Sequence, residues 1–429
     1  MNQHIEPKFD ETYITETLDN GLRVVVWHKP KMKTTACTFS TPYGALDFDL
    51  CSEGGKRFHH PSGIAHFLEH KMFEDEGQDI MAEFSRLGAN VNAFTSYNET
   101  VYYFSTSSDE IVEPLNLLLN FVQKLSITDQ SVEKEKGIIT QELMMYMQMP
   151  DARLYFEVFK ALYHEHPFKY DIGGSPESVA NTTRTQLEEC YNLNYHPANM
   201  LLVCVGPQDP ATVLDMIRTN QEAKAFDPYV CCSRTTVKEP QTVAKTQLLI
   251  PMDITSSKVA VAIKLPVWTS NDQQRVHDEW AIRCALEAHF SAINPDYQTW
   301  IDEGLINMYF GYEIDLQQDA AFILFVNETE DREKFRQFVI HELQVCREKN
   351  LAIETMNQLK KRYFGQAMRI LNNVEDIAVA VARNTFNGVS LFETLAILEK
   401  LDQEQIQEAM NHLCFDHVSL VAIVPQKQN

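Results

Sequence analysis

Gly63-Ile64-Ala65-His66-Phe67-Leu68-Glu69-His70-Lys71-Met72-Phe73 is the stretch from which the rest of the chain is read. Pro61-Ser62-Gly63 opens a helix predicted over about 61–73. Successive helical residues lie about 100° apart. His66, Glu69, His70 and Phe73 therefore share one face, while Ile64, Phe67 and Leu68 supply apolar surface for packing. Two imidazoles at i and i+4 can reach one metal ion, and Zn²⁺ favours imidazole. Glu69, one residue before the second histidine, then points beside that ion and can take a proton from water. This is the HxxEH arrangement, the reverse of HExxH. Taken alone, the same five residues also fit two surface histidines.

A catalytic zinc needs three protein ligands and an open position. The helix predicted at 129–147 offers Glu135 and Glu142 on one face, with Ile138 and Ile139 between them. A carboxylate on an apolar face is expensive unless a cation or hydrogen bonds compensate it. A metal at Glu142 would do so, with Glu135 behind it orienting a ligand. The alternative is a solvated acidic stripe, since Glu133 and Lys134 mark a wet side of this helix. His164 and His166 around Glu165 read as structural, and His59, His60 and His196 as loop residues without a partner.

Working outward, strands are expected at 13–28 and 34–46, with the turn Asp19-Asn20-Gly21 inside the first. A helix is expected at 78–87, a strand pair at 90–96 and 100–106, then helices near 109–125, 129–147, 151–164 and 183–194. The apolar strand Met200 to Val205 closes this half. The same order recurs: a strand at 257–266, helices near 272–291 and 296–303, and strands at 306–314 and 319–327. Helices follow near 330–348, 352–370, 373–386 and 402–413, then a strand from Val418 to Val424. The expected fold is α+β, with two similar tandem domains, each an antiparallel-rich sheet with helices packed on one face. The domains are placed at 1–222 and 246–429, joined by a polar, weakly periodic linker at 223–245.

Composition bounds the partners. The 429 residues exceed one comfortable core, and 44% hydrophobic with 23% charged residues is ordinary globular material. A formal charge of −23 argues against nucleic acid as a partner. The N-terminus reads MNQHIEPKFDETYITETLDNG, without a basic n-region or apolar core, so no secretory signal or Arg-rich transit peptide is expected. No apolar run suits a membrane helix. Nine scattered cysteines without a CxxC pair suit reduced thiols in a cytoplasmic protein.

Asn92-Ala93-Phe94-Thr95-Ser96 leads through Tyr97-Asn98-Glu99 into Thr100-Val101-Tyr102-Tyr103-Phe104, a hairpin close behind the histidine helix. An exposed edge here can pair with an extended peptide. Phe73 and Phe94 could line a pocket beside it; the other reading makes both plain core.

At HFLEH, at Glu135 and Glu142 in EKEKGIITQE, at NAFTSYNETVYYF and at NYHPANMLLVCVG, the sequence resembles the M16 family of zinc peptidases, the pitrilysin or insulin-degrading-enzyme type called inverzincins. The resemblance covers most of residues 15–206; in the second half only the repeated order of elements persists. It implies zinc bound by His66, His70 and Glu142, Glu69 as the base, and support from Glu135. It also implies peptide contacts from Asn92, Ala93 and Phe94, with Phe73 and Phe94 shaping the site for the residue after the scissile bond. The length matches half-sized members that work as two-chain clamshells. GIAHFLEHKMFE looks most like a bacterial subgroup often encoded beside a second, metal-free homologue, including processing peptidases of peptide-antibiotic clusters. The expectation is therefore a zinc metalloendopeptidase acting on peptides or unfolded segments, paired with a homologous chain, a mixed pair standing slightly ahead of a homodimer. The rival is a non-catalytic assembly subunit of an M16-type complex, against which an intact ligand set and base argue. The second half has no HxxEH, and Arg362-Tyr363 is only a loose candidate for the Arg and Tyr of active members.

Overall fold

Runs such as Val24-Val25-Val26-Trp27 and Leu201-Leu202-Val203-Cys204-Val205 are buried along their whole length, as central strands covered on both faces must be. The computed structural model describes residues 1–75, 78–268 and 271–426. Two compact units emerge: Met1–Leu143 with Asp171–Thr235 and Arg369–Phe386, and Met144–Tyr170 with Thr236–Met368 and Asn387–Asn429.

The first unit is built on a seven-stranded sheet. Its strands, in spatial order, are Asn2–Glu6, Glu11–Thr17, Arg23–His28, Leu201–Gly206, Thr35–Thr41, Thr100–Thr106 and Ala89–Thr95. All neighbours are antiparallel except Arg23–His28 with Leu201–Gly206. In the second unit a five-stranded sheet runs Gln247–Met252, Val418–Pro425, Lys258–Lys264, Ala321–Glu328, Gly311–Leu316. Its one parallel pair is again the first, Gln247–Met252 with Val418–Pro425. The last five strands of the first sheet and the five of the second thus share one order and one pattern of directions. The α+β fold of two similar units with antiparallel-rich sheets is as expected.

One face of the first sheet (Val24, Val26, Phe39, Leu202, Cys204) packs with helices Ile64–Met72, Val112–Val122 and Arg184–Asn194 into one core cluster. The alternate residues Val25, Ala36, Val203 and Val205 are also buried. Strands Thr35–Thr41 and Leu201–Gly206 carry the helix Val374–Phe386, which comes from far down the chain. The second unit has the same cover from the other direction. Helix Pro150–Leu162 packs on Lys258–Lys264 and Val418–Pro425, with the Phe159 and Phe322 rings 5.1 Å apart.

Several elements lie outside the sequence expectation. The strand Asn2–Glu6 and the helices Pro176–Asn181, Pro210–Glu222 and Leu391–Lys400 were not foreseen. The strand expected at 306–314 starts only at Gly311. Asn307 accounts for the delay: its Oδ1 accepts from Tyr309 N at 2.9 Å and its Nδ2 donates to Glu328 O at 2.7 Å, so the backbone turns locally before it can pair. The stretch 223–245 contributes the strand Cys232–Arg234. It also contributes Glu239, whose carboxylate accepts from the backbone of His164, Glu165 and His166 and pairs with Lys264. No described helix is long and apolar enough to cross a membrane.

Candidate metal centre

Helix Ile64–Met72 begins at Gly63, whose φ of +84° is left-handed. A Cβ there would lie 2.2 Å from the carbonyl oxygen of Gly173, so only glycine lets the loop at 171–174 close on the helix start. Gly173 is also closely packed: its Cβ would meet Leu143 at 2.7 Å and His66 Nδ1 at 3.4 Å. The buried side of the helix is Ile64, Ala65, Phe67, Leu68, Lys71 and Met72. This anchors the helix on the core and leaves His66, Glu69 and His70 on the partly open side.

The second contributor is helix Asp129–Gln148. Ile139 is fully buried, but Ile138 is 45% exposed, so the face carrying Glu135 and Glu142 is apolar on one flank only, not on both as the spacing suggested. Glu142 Oε2 stands 3.3 Å from His70 Nε2 and 3.8 Å from His66 Nε2. The three side chains bring one donor atom each within 4.8 Å of one another, and no other such group of three occurs among the described residues. Zn–N bonds of 2.0–2.1 Å in a tetrahedron place neighbouring donors about 3.3–3.4 Å apart. Two imidazoles and a carboxylate at these separations fit a zinc ion with small adjustments.

The two imidazoles differ in proton affinity. Burial, reinforced by the nearby His70, holds His66 down at about 4, so its imidazole is neutral with a lone pair to give. Burial also pulls on His70, but hydrogen bonds to Glu135 and Glu142 outweigh it and raise His70 to about 9. Glu135 Oε1 lies 3.2 Å from His70 Nδ1; a proton on Nδ1 would leave Nε2 to face Glu142 and His66. The hydrogen bond to His70 holds both Glu135 and Glu142 below the usual carboxylate range. Glu69 behaves oppositely: burial raises it, against a 2.5 Å hydrogen bond donated by Thr95 Oγ1.

Thr95 was not singled out in the sequence, although it ends the very strand that was. That strand, Ala89–Thr95, is the sheet edge, paired among the described residues only with Thr100–Thr106. Asn92 is exposed, while Val91 and Ala93 pack against the core. Phe94 meets Tyr103, ring centroids 6.4 Å apart, whereas Phe73 sits among Tyr102 and Phe121 at 6.1 and 5.4 Å. Tyr102 and Tyr103 are successive strand residues, so Phe73 and Phe94 lie toward opposite faces of the sheet. His60 does have a partner: it is buried, with Nε2 3.0 Å from Glu189. His196 Nε2 lies 2.9 Å from the Asp227 carbonyl. His166 is buried 3.3 Å from Asp319 and is not a member of the metal-type group.

Residues 49–175 match the family model Insulinase (Peptidase family M16), and residues 181–352 match Peptidase M16 inactive domain. Over 421 residues the chain is 34% identical to the uncharacterized zinc protease YmfH of Bacillus subtilis, an alignment covering 98% of each sequence. The chain belongs to peptidase family M16. An M16-like protein from Alicyclobacillus acidocaldarius has the same fold at a TM-score of 0.91 and 30% identity, over 97% of this chain and 99% of that one. Pitrilysin, at 15% identity, shares the fold alone: the TM-score is 0.77, over 99% of this chain but 46% of pitrilysin. The M16 catalytic-domain match contains the histidine helix and Glu142. The M16 inactive-domain match covers much of the second unit, in which no comparable donor group occurs among the described residues.

Proposed function

We propose that this chain is a zinc metalloendopeptidase that hydrolyses peptides or unfolded segments, a peptide precursor among them, in the cytoplasm. The observation that carries the reading is the convergence of His66 Nε2, His70 Nε2 and the Glu142 carboxylate beside a partly buried carboxylate, Glu69, held by Thr95. His66, His70 and Glu142 would hold the zinc, which when bound supplies Lewis-acid polarisation of the scissile carbonyl and lowers the pKa of water. Glu69 is the general base. Its raised proton affinity brings it closer to neutrality, where a group can both accept a proton from water and return it to the leaving amine. Thr95 fixes the direction of that carboxylate. Glu135 orients His70 through Nδ1.

The substrate would extend the first sheet. Ala89–Thr95 has one paired edge and one open, and an added strand there runs toward Thr95 and hence toward Glu69. Asn92, Ala93 and Phe94 would supply its contacts, with Phe73 supporting the end of the histidine helix from the core side. A partner chain completes the enzyme in this reading: the chain matches about half of pitrilysin, and its second unit brings no ligand set among the described residues. We favour a metal-free homologue of the half-sized bacterial processing type slightly over a second copy.

Metal analysis of the purified chain, with hydrolysis of a peptide library before and after chelation, tests this. The expected result is one zinc per chain and cleavage that chelation abolishes and zinc restores. Absence of any transition metal after metal-replete purification would sink the reading.

A further inference from the structure

Lys71 follows the second metal-type histidine, and only 1% of its side chain is exposed. A buried ammonium is tolerated only when partners replace its water. Lys71 has three: Nζ pairs with Glu74, lies 3.6 Å from Glu135 Oε2, and reaches the Ser131 carbonyl oxygen at 3.4 Å. Ser131 and Glu135 sit one turn apart on helix Asp129–Gln148, which also carries Glu142. Glu135 turns its other oxygen to His70 Nδ1 at 3.2 Å. One carboxylate is thus held between two successive residues of the histidine helix. Pairing with Glu74, which is 40% exposed, would not by itself require burial. The contacts to Ser131 and Glu135 explain it, because they tie the two ligand-bearing helices together.

We propose that Lys71 is a positioning residue of the metal centre: it fixes the Glu135 carboxylate against His70 and sets the separation between the helices that carry His66, His70 and Glu142. This rests on the zinc-peptidase reading above. The sign of the effect separates it from plain electrostatics. A lysine acting only as a nearby positive charge would repel Zn²⁺, so its removal would tighten binding. A positioning lysine does the opposite.

The experiment is zinc affinity of the full chain, by competition with a chromophoric chelator, in a cycle of Lys71→Met and Glu135→Gln. Removing a partner that orients a ligand typically weakens metal binding about 10–100-fold. Lys71→Met is expected to weaken zinc binding by that much in the wild-type background and to add no measurable loss on top of Glu135→Gln. Unchanged or tighter binding by Lys71→Met overturns the proposal, as does an equal loss in both backgrounds. A merely structural lysine would lower the melting temperature of the metal-free chain but leave the zinc dissociation constant of the folded protein unmoved. Should Lys71→Met not fold, Lys71→Gln, which keeps a donor and loses the charge, carries the same cycle. Failure of the wild-type chain to bind zinc would instead remove the parent reading.

Discussion

Glu69 and the three donors should separate cleanly on substitution. Glu69→Gln keeps the side chain's shape and can still accept from Thr95, but it cannot take a proton. It should retain zinc and the native melting temperature while turnover falls about 10²–10⁴-fold, the usual weight of a general base. His66→Ala, His70→Ala and Glu142→Ala should lose both zinc and activity. Near-normal turnover of Glu69→Gln, measured at saturating zinc, would mean the base lies elsewhere. At this scale the sequence was legible where spacing is local. An i, i+4 histidine pair declares itself because a helix guarantees the shared face. Apart from the family resemblance, Glu142 could be argued only from the cost of a carboxylate on a partly apolar helix. Thr95 and Lys71 were not legible: nothing local distinguishes a threonine at a strand end, or a lysine after a histidine, from an exposed one. Both acquire meaning only when distant elements pack.

At the scale of elements, the histidine helix is aimed by its start. Gly63→Ala adds a methyl group at a left-handed residue and drives it into the Gly173 carbonyl. A destabilisation of about 1–3 kcal/mol or more is expected from strain of this kind. Because Gly173 abuts His66, thermal melting should fall and zinc affinity should fall with it; a variant that melts lower but binds zinc normally would show that the loop does not aim the helix. In the second unit, strand Gly311–Leu316 carries Asp315, which burial, with Glu279 nearby, pushes up to about 7. A carboxyl raised in the folded state favours folding at low pH, and that contribution is lost as pH rises from the unfolded value near 3.8 through about 7. Asp315→Asn should therefore gain stability over the wild type at pH 8 by up to a few kcal/mol and much less at pH 5. Urea melts at the two values, with equal differences, would refute this. That one fold occurs twice was recoverable from the repeated order of elements. The start of Gly311–Leu316 was not, because Asn307 uses side-chain hydrogen bonds that apolar periodicity does not report.

At the scale of the whole molecule, the expectation is two chains per working enzyme. Solution mass and activity of the pure chain, alone and with a candidate metal-free homologue, decide it. A low-activity chain that gains turnover on mixing favours the mixed pair, an active homodimer removes it, and a fully active monomer removes the two-chain proposal altogether. The exchanged helices leave no trace in periodicity, since Pro150–Leu162 and Val374–Phe386 look amphipathic wherever they dock. They nevertheless dictate when the chain can fold. On the ribosome, the strands Thr35–Thr41 and Leu201–Gly206 emerge long before the helix that packs on them, because residues 374–386 follow far down the chain. Closing so long a loop makes folding slow and leaves an apolar sheet face waiting. The nascent first unit should therefore depend on chaperone cover until residues 374–386 have emerged, and a chain truncated before them should aggregate.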